Sequence, residues 1–297
     1  MSLPRGHILI TGASTGIGRT CAAHLASQGF SVFAAVRKPA DVESLRAEAG
    51  ASGLTSRLQP IILDVTDPTT ISAAAATLEP IVGNDGLAGL VNNAGIGVVG
   101  PIEFIPIDDW RKQFEVNVFG QIAVTQAMLP LLRKRVLRTG HGSARIVMMS
   151  SIAGLVGQPI LSPYSASKHA LEAIADALRL ELAKHGIRTC LVEPGAIKSE
   201  IWRKGEQSAS AIERSSEAYR LYGRIIDAVA NRASEAGRRA IPALTVARVV
   251  ERCLSSSKAP ERVLVGGDAR KAAWAKWLLP TSLFDVVLAR ALGVPLD

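Results

Sequence analysis

Short apolar runs, most of them closed by glycine or a small polar residue, alternate along this chain with longer stretches in which apolar residues return every third or fourth position. The runs His7 to Gly12, Ser31 to Arg37, Leu58 to Val65, Leu87 to Asn92, Ala144 to Ser150, Arg188 to Glu193 and Arg262 to Val265 read as strands. Their near-continuous apolar character predicts burial on both faces. Helices are predicted between them, at Gly16 to Ser27, about Asp41 to Ala49, Pro68 to Leu78, Asp108 to Arg133, Pro163 to Lys184 and Thr245 to Leu254. In the fifth of these, Ala170, Leu171, Ile174, Ala175, Leu178 and Leu182 fall at helical spacing with Arg179 and Glu181 between them, which implies one buried face. Strands and helices in alternation predict an α/β fold, a doubly wound parallel sheet of seven strands with helices on both faces and ligands at the strand C-terminal ends.

Two stretches break the rhythm. Ala196 to Ala240 mixes apolar Ile197, Ile201, Trp202, Ile212, Tyr219, Leu221 and Tyr222 with many charges, a composition suited to short amphipathic helices forming a lid over a pocket. Residues 268–297 form an apolar C-terminal extension. With no linker-like segment, residues 1–297 are read as one domain.

Hydrophobic residues make up 48% and charged residues 20% of the 297, enough apolar material for a large core. The net charge of +8 comes from dispersed lysines and arginines, densest at Arg133 to Arg138 and at Arg37-Lys38, which argues against nucleic acid as partner. Cys21, Cys190 and Cys253 are too few and too scattered for a disulfide framework, and the five histidines show no ligand spacing, so a cytoplasmic protein without a metal site is expected. The first strand begins too early for a secretion signal to precede it. The stretch from Lys271 to Val294 is interrupted by Lys276, Pro280, Asp285 and Arg290 and is not expected to span a membrane.

Candidate chemistry lies between Ser151 and Leu182. Tyr164 and Lys168 are four apart, hence on one helix face, where an ammonium favours the phenolate and equips the tyrosine for proton transfer. Ser151, arriving from the strand side, is placed to hydrogen-bond the same substrate oxygen. After the first strand comes Thr11-Gly12-Ala13-Ser14-Thr15-Gly16-Ile17-Gly18, a glycine turn leading into a helix N-terminus, which is a pyrophosphate site. At the end of the second strand, where an NAD enzyme of this architecture carries an acid for the ribose 2′-hydroxyl, stands Val36, followed by Arg37 and Lys38. Both suit a 2′-phosphate, so NADP(H) is the expected cofactor.

With that loop, Asn92-Asn93-Ala94-Gly95 after the fourth strand, Asn117, Ser151 thirteen residues before Tyr164, the Tyr-x-x-x-Lys pair and Pro194-Gly195, the chain resembles the short-chain dehydrogenase/reductase family, with its Rossmann fold, over nearly its whole length. The resemblance implies that Gly12, Ser14, Gly16, Ile17 and Gly18, in a loop that also holds Thr15, bind the cofactor phosphates. It places Asp64 and Val65 at the adenine, and Asn92, Ala94 and Gly95 at a ribose. Tyr164 would be the acid/base, Lys168 would lower its pKa and bind the nicotinamide ribose, Ser151 would hold the substrate oxygen, and Asn117 would support a water-mediated proton path. Pro194, Gly195 and Ile197 would meet the nicotinamide, with Ser199, where the family commonly has threonine, bonding the carboxamide. Many NADP enzymes of the family carry a basic residue where this chain has Thr15.

The implied activity is interconversion of an alcohol and a ketone or aldehyde, with transfer from the pro-S face. The C-terminal part looks like that of retinol and hydroxysteroid dehydrogenases and their bacterial relatives. A bulky apolar substrate is therefore expected, met by Ile152, Leu155, Val156, Ile160, Leu161, Val98, Val99 and the lid. A homodimer is implied, paired through the helices Asp108 to Arg133 and Pro163 to Lys184, with the extension covering the pocket or the sheet edge. Membrane-surface contact by Trp274, Trp277, Leu278 and Leu279 is the alternative for that extension. Two rival functions are a nucleotide-sensing scaffold, which has no need of the Asn117, Ser151, Tyr164 and Lys168 set, and an NAD-dependent sugar-nucleotide epimerase or dehydratase, whose glycines are usually spaced differently.

Overall fold

The computed structural model describes residues 5–198 and 213–294. One seven-stranded sheet runs through it, built from β1 (His7–Ile10), β2 (Ser31–Val36), β3 (Leu58–Ile62), β4 (Leu87–Asn92), β5 (Ala144–Met149), β6 (Ile187–Pro194) and β7 (Arg262–Val265). The order is β3-β2-β1-β4-β5-β6-β7 and every pairing is parallel. β1 lies between β2 and β4, so the order reverses there and a crevice opens at the strand C-terminal ends, where ligands bind in such sheets.

Alternate residues of each strand feed two cores. Ile8, Ile10, Val32, Ala34, Val147 and Val192 point to one side, under α1 (Gly16–Ser27), α2 (Pro39–Ala51) and α8 (Ala243–Ser255). Leu9, Phe33, Leu90, Ile146 and Leu191 point to the other, under α3 (Pro68–Val82), α5 (Gly120–Thr139) and α6 (Ser162–Ala183). Period-two alternation with both faces apolar is the physical content of the uninterrupted hydrophobic runs. Several helices are started by local chemistry: Asp67 accepts from Thr69 N at 2.8 Å ahead of Pro68 at the head of α3, and Ser216 accepts from Tyr219 N at 3.2 Å at α7 (Glu217–Arg239).

The structure differs from the pattern-based expectation in four places. β1 and β3 end at Ile10 and Ile62, two and three residues before the predicted limits; beyond β3, Asp64 leaves the sheet to receive Thr66 N and Oγ1 at 3.0 and 2.8 Å. The helix predicted from Asp108 to Arg133 is α4 (Ile107–Phe114), a π-helical turn at Glu115–Phe119, and α5, which continues past Pro130 to Thr139. The lid was expected to consist of short helices. Its described part is instead one long helix, α7, while Ser199, Ile201, Trp202 and Ile212 lie outside the described residues. The extension is a helical hairpin, α9 (Gly267–Leu278) and α10 (Thr281–Leu292), with α9 beside β7 and the turn after Ser151, and α10 against α7. Trp274 and Trp277 meet edge to face on it and stay 60% and 76% exposed.

Candidate active site

The crevice at the switch point is a cavity of about 650 Å³. Its walls are the loops that follow β1 to β6, together with the start of α6. The predicted residues Gly12, Ser14, Thr15, Gly16, Ile17, Gly18, Arg37, Asp64, Val65, Ala94, Gly95, Ser151, Tyr164, Lys168, Pro194, Gly195 and Ile197 all line it. They are contributed by widely separated parts of the chain and brought together by the sheet order.

At one end, the turn after β1 is shaped for close approach of a ligand. Gly12 and Gly16 hold φ of +66° and +57°, a region open to glycine at little cost. A Cβ on Gly12 would stand 2.8 Å from Ala94 Cα, and one on Gly18 would collide with the Gly12 carbonyl and sit 2.5 Å from Asn93 Nδ2. These glycines let the turn pack closely against Asn93, Ala94 and its own carbonyl, and the turn lines the cavity at the N-terminus of α1, the position that receives a phosphate. Arg19 secures the loop by donating to Ser14 O at 3.1 Å. Arg37, exposed at the tip of β2, has no ion-pair or hydrogen-bond partner for its side chain among the described residues. Lys38 is exposed just before α2 and does not line the cavity.

Asn92 is the second predicted residue outside the cavity wall. It is fully buried, donating to Thr125 Oγ1 at 2.7 Å and to Met148 Sδ at 3.2 Å. The wall position belongs to its neighbour, because successive residues at a strand end face opposite ways. Asn93 donates to Thr11 O at 2.9 Å and to Gly12 O at 3.2 Å, while Thr11 Oγ1 receives Asn93 N and Ala94 N at 3.0 Å each. Thr11 and Asn93 thus bolt the glycine turn to the end of β4.

At the other end stand the candidate catalytic groups. Ser151 follows β5, accepts from Ala153 N at 3.2 Å, and lines the cavity together with Tyr164. Tyr164 and Lys168 occupy adjacent turns of α6, with Lys168 Nζ 5.7 Å from the centre of the tyrosine ring. Lys168 Nζ donates to Met149 O at 2.7 Å. Burial raises the Tyr164 pKa above its ordinary 10, with the Ser151 hydroxyl acting in the opposite sense. Burial also lowers Lys168 to about 8, against the opposing charge of Glu172. The sequence pointed to the ammonium as the dominant influence on the phenol; in the folded site, removal from water is the larger one.

Asn117 lies in the π-helical turn, fully buried behind the cavity wall rather than on it. Its amide donates to Ile96 O at 3.0 Å and to Ser167 Oγ at 3.1 Å, and its oxygen accepts from Ile96 N at 2.8 Å. Two further amides repeat this four residues to either side. Gln113 donates to Ile96 O at 2.8 Å and accepts from Val98 N at 2.7 Å, and Gln121 donates to Ala94 O at 2.9 Å. Gln113, Asn117 and Gln121 form a buried ladder that pins the Ala94–Val98 backbone to the helix, and the spacing of four was the signal for it in the sequence. Beside it, Val98, Val99 and Asp109 also border a second cavity of about 270 Å³, walled by Pro101, Phe104, Ile105 and Ala218. In the loop after Ser151, Leu161 lines the main cavity, whereas Val156 and Ile160 are buried and outside it. Ile160 holds φ of +68°, an uncommon conformation for a β-branched residue, as its carbonyl accepts from Gly100 N at 2.9 Å.

The short chain dehydrogenase family model matches residues 6–210. An NADPH-dependent 3-dehydrocapnine reductase of Ornithobacterium rhinotracheale is 32% identical over 286 residues, covering 96% of this chain and 97% of that one. Human retinol dehydrogenase 5 is 33% identical over 314 residues, covering 99% and 92%. Among solved structures, a Burkholderia phymatum short chain dehydrogenase/reductase in complex with NAD superposes with a TM-score of 0.76 at 23% identity, covering 100% and 99% of the two chains, a likeness of fold. The glycine turn, the Ser151, Tyr164 and Lys168 constellation and a family match spanning more than two thirds of the sequence lead to one conclusion: this chain belongs to the short-chain dehydrogenase/reductase family of oxidoreductases.

Proposed function

We propose that this protein is an NADP(H)-dependent oxidoreductase that interconverts an alcohol and a ketone or aldehyde on a bulky apolar substrate, with Tyr164 as acid/base. The observation that carries this reading is that one cavity has Ser151, Tyr164 and Lys168 at one end and an unengaged Arg37 guanidinium at the other. The cofactor supplies hydride transfer. The glycine turn that lines the cavity at the N-terminus of α1 fits the phosphates, and Arg37 fits a 2′-phosphate by paired charge-assisted bonds. Val36 supplies no carboxylate to repel it.

Ser151 and Tyr164, on the wall of the same cavity, present two hydroxyls to one substrate oxygen. In the reductive direction Tyr164 Oη donates a proton to that oxygen as negative charge develops, and Ser151 holds it in place. In the oxidative direction the same atom removes the proton, and a protonated Lys168 favours the phenolate. Val98, Val99, Leu161 and the adjoining cavity offer apolar contact to a large substrate. The NADPH named for the Ornithobacterium relative agrees with this cofactor; the NAD of the Burkholderia complex is the competing case. A cytoplasmic homodimer is part of the same reading.

The test is a screen of purified protein with NADPH and with NADH against ketones and aldehydes, from small diketones to steroids and retinal. Turnover of large apolar carbonyls with NADPH is expected. Preference for NADH, or turnover confined to small polar carbonyls, overturns the corresponding part of the assignment.

A further inference from the structure

One turn beyond Lys168 on α6, Glu172 is only 7% exposed. Its carboxylate receives the hydroxyl of Ser150, the residue immediately before Ser151, and pairs with the Arg262 guanidinium from β7. The same guanidinium pairs with Glu193 on β6, which is fully buried, and reaches Asp176 at 3.3 Å. Two buried carboxylates thus share one arginine directly beneath the catalytic serine and lysine. The proton transfer described above uses neither of them.

We propose that Glu172 is a positioning residue: its carboxylate, held in place by Ser150 and Arg262, keeps the proton on Lys168 and through Lys168 sets the acidity of Tyr164. Tyr164, Lys168 and Glu172 fall at successive turns of one helix, so their side chains share a face. The one hydrogen bond found for the Lys168 ammonium is to a neutral carbonyl, that of Met149, and a neutral acceptor does not offset the cost of burying a charge. Other charges near this part of the site are committed elsewhere. Arg262 is held by its three carboxylates, Glu193 faces Arg262, and Asp268 of α9 accepts from Ala196 N at 2.7 Å. Asp109 and Lys112 of α4 lie on the cavity wall, and the amide ladder of α4 and α5 is uncharged. Glu172, buried one turn from Lys168 on the same face of α6, is the carboxylate placed to oppose the pull of burial on that ammonium.

This inference rests on the tyrosine mechanism proposed above, and its test reads the tyrosine directly. The chain has three tyrosines, so replacing Tyr219 and Tyr222 of α7 by phenylalanine leaves the ultraviolet tyrosinate signal of the full chain to Tyr164 alone. In that background Glu172→Gln is expected to raise the apparent pKa of Tyr164 by about one unit, tenfold in its ionisation constant, with Glu172→Asp restoring it. Glu193→Gln, which disturbs the same arginine, should leave it unmoved. In a Lys168→Met background Glu172→Gln should give no rise, because direct removal of a carboxylate favours the phenolate and lowers the pKa.

An unmoved or lowered Tyr164 in the single variant, or the same rise without Lys168, overturns the proposal. So does an equal rise in Glu193→Gln, which would signal general loosening of the cluster. If Glu172→Gln does not fold, Glu172→Met serves instead, an apolar residue of similar volume that also removes the charge; the same rise in the Tyr164 pKa is expected, and its absence counts against the proposal. Failure of the underlying mechanism has a different signature, namely turnover surviving in Tyr164→Phe.

Discussion

At the residue scale the proposed mechanism turns on the Tyr164 hydroxyl. Tyr164→Phe removes the titrating group with little change of shape, so cofactor binding should persist while turnover falls by roughly 10² to 10⁴-fold; steady-state rates beside a cofactor titration check both halves. Arg37→Ala should weaken NADP(H) by about ten-fold to a hundred-fold and leave NAD(H) nearly unchanged, because only the former has a phosphate for the guanidinium to meet. Dissociation constants of both cofactors for both proteins decide it. Glu193 gives a pH-dependent prediction. Burial, then the charge and hydrogen bond of Glu172, raise its pKa from 4.5 to about 7, with Arg262 opposing. A carboxyl that releases its proton later in the folded than in the unfolded chain stabilises most below the unfolded value, and that contribution is lost as pH rises through the folded one. Glu193→Gln should therefore remove a decline in stability between pH 4.5 and about 7, so that Tm relative to the native chain is higher at pH 8 than at pH 5, as thermal melts at the two values would show.

At the element scale the unit of interest is the helix pair α4 and α5 with its π-helical turn. Gln113, Asn117 and Gln121 are fully buried amides whose partners are backbone groups of the loop that carries Ala94 to Val98. The turn takes up an extra residue and so lets amides four apart stay on one face, where an unbroken α-helix would let them drift. Gln113→Leu leaves Val98 N without its partner and Ile96 O with fewer, at about 1–3 kcal/mol for each buried group left unpaired. The expected result is a lower denaturation midpoint together with a raised KM, since the loop that loosens also lines the cavity. A change in stability with KM unmoved would mean the ladder supports the fold alone. Hydrophobic periodicity located this helix but not the turn inside it, because a π-turn is fixed by which backbone and side-chain groups the buried amides meet after folding.

At the scale of the whole molecule, the π-helical turn leading into α5 and helix α6 carry exposed apolar residues that a monomer leaves in water: Phe119 is 54% and Leu180 74% exposed. Pairing of two copies through these helices would cover them. Sedimentation should give a dimer, and Phe119→Glu with Leu180→Glu should shift it to a monomer; a native chain sedimenting as a monomer refutes the pairing. The helical hairpin α9 and α10 belongs to this scale too. Its Asp268 accepts the Ala196 N–H beside Gly195, so the extension is fastened to the loop after β6, at the Ser151 end of the cavity, while its tryptophans face outward.

Local sequence determined the alternation of strands and helices, the glycine turn and the Tyr164 and Lys168 pair, since each depends on a spacing within one or two turns or one strand end. The same reasoning placed Arg37 at the tip of β2, because a strand boundary is set by a few neighbours. The resemblance put Asn92 and its neighbours at a ribose; Asn93, Ala94 and Gly95 line the cavity while Asn92 turns into the core, because successive residues at a strand end face opposite ways and only the β4 pairing shows where the strand ends. Lys38 was drawn in by proximity along the chain, yet it stands outside the cavity that Arg37 lines. The pairing of Glu172 with Glu193 through Arg262, ninety and sixty-nine residues away from that arginine, has no local signature at all. Charges so distant in the chain meet only when β5, β6 and β7 lie side by side over α6, and it is that parallel order which brings two buried carboxylates to one guanidinium behind the cavity.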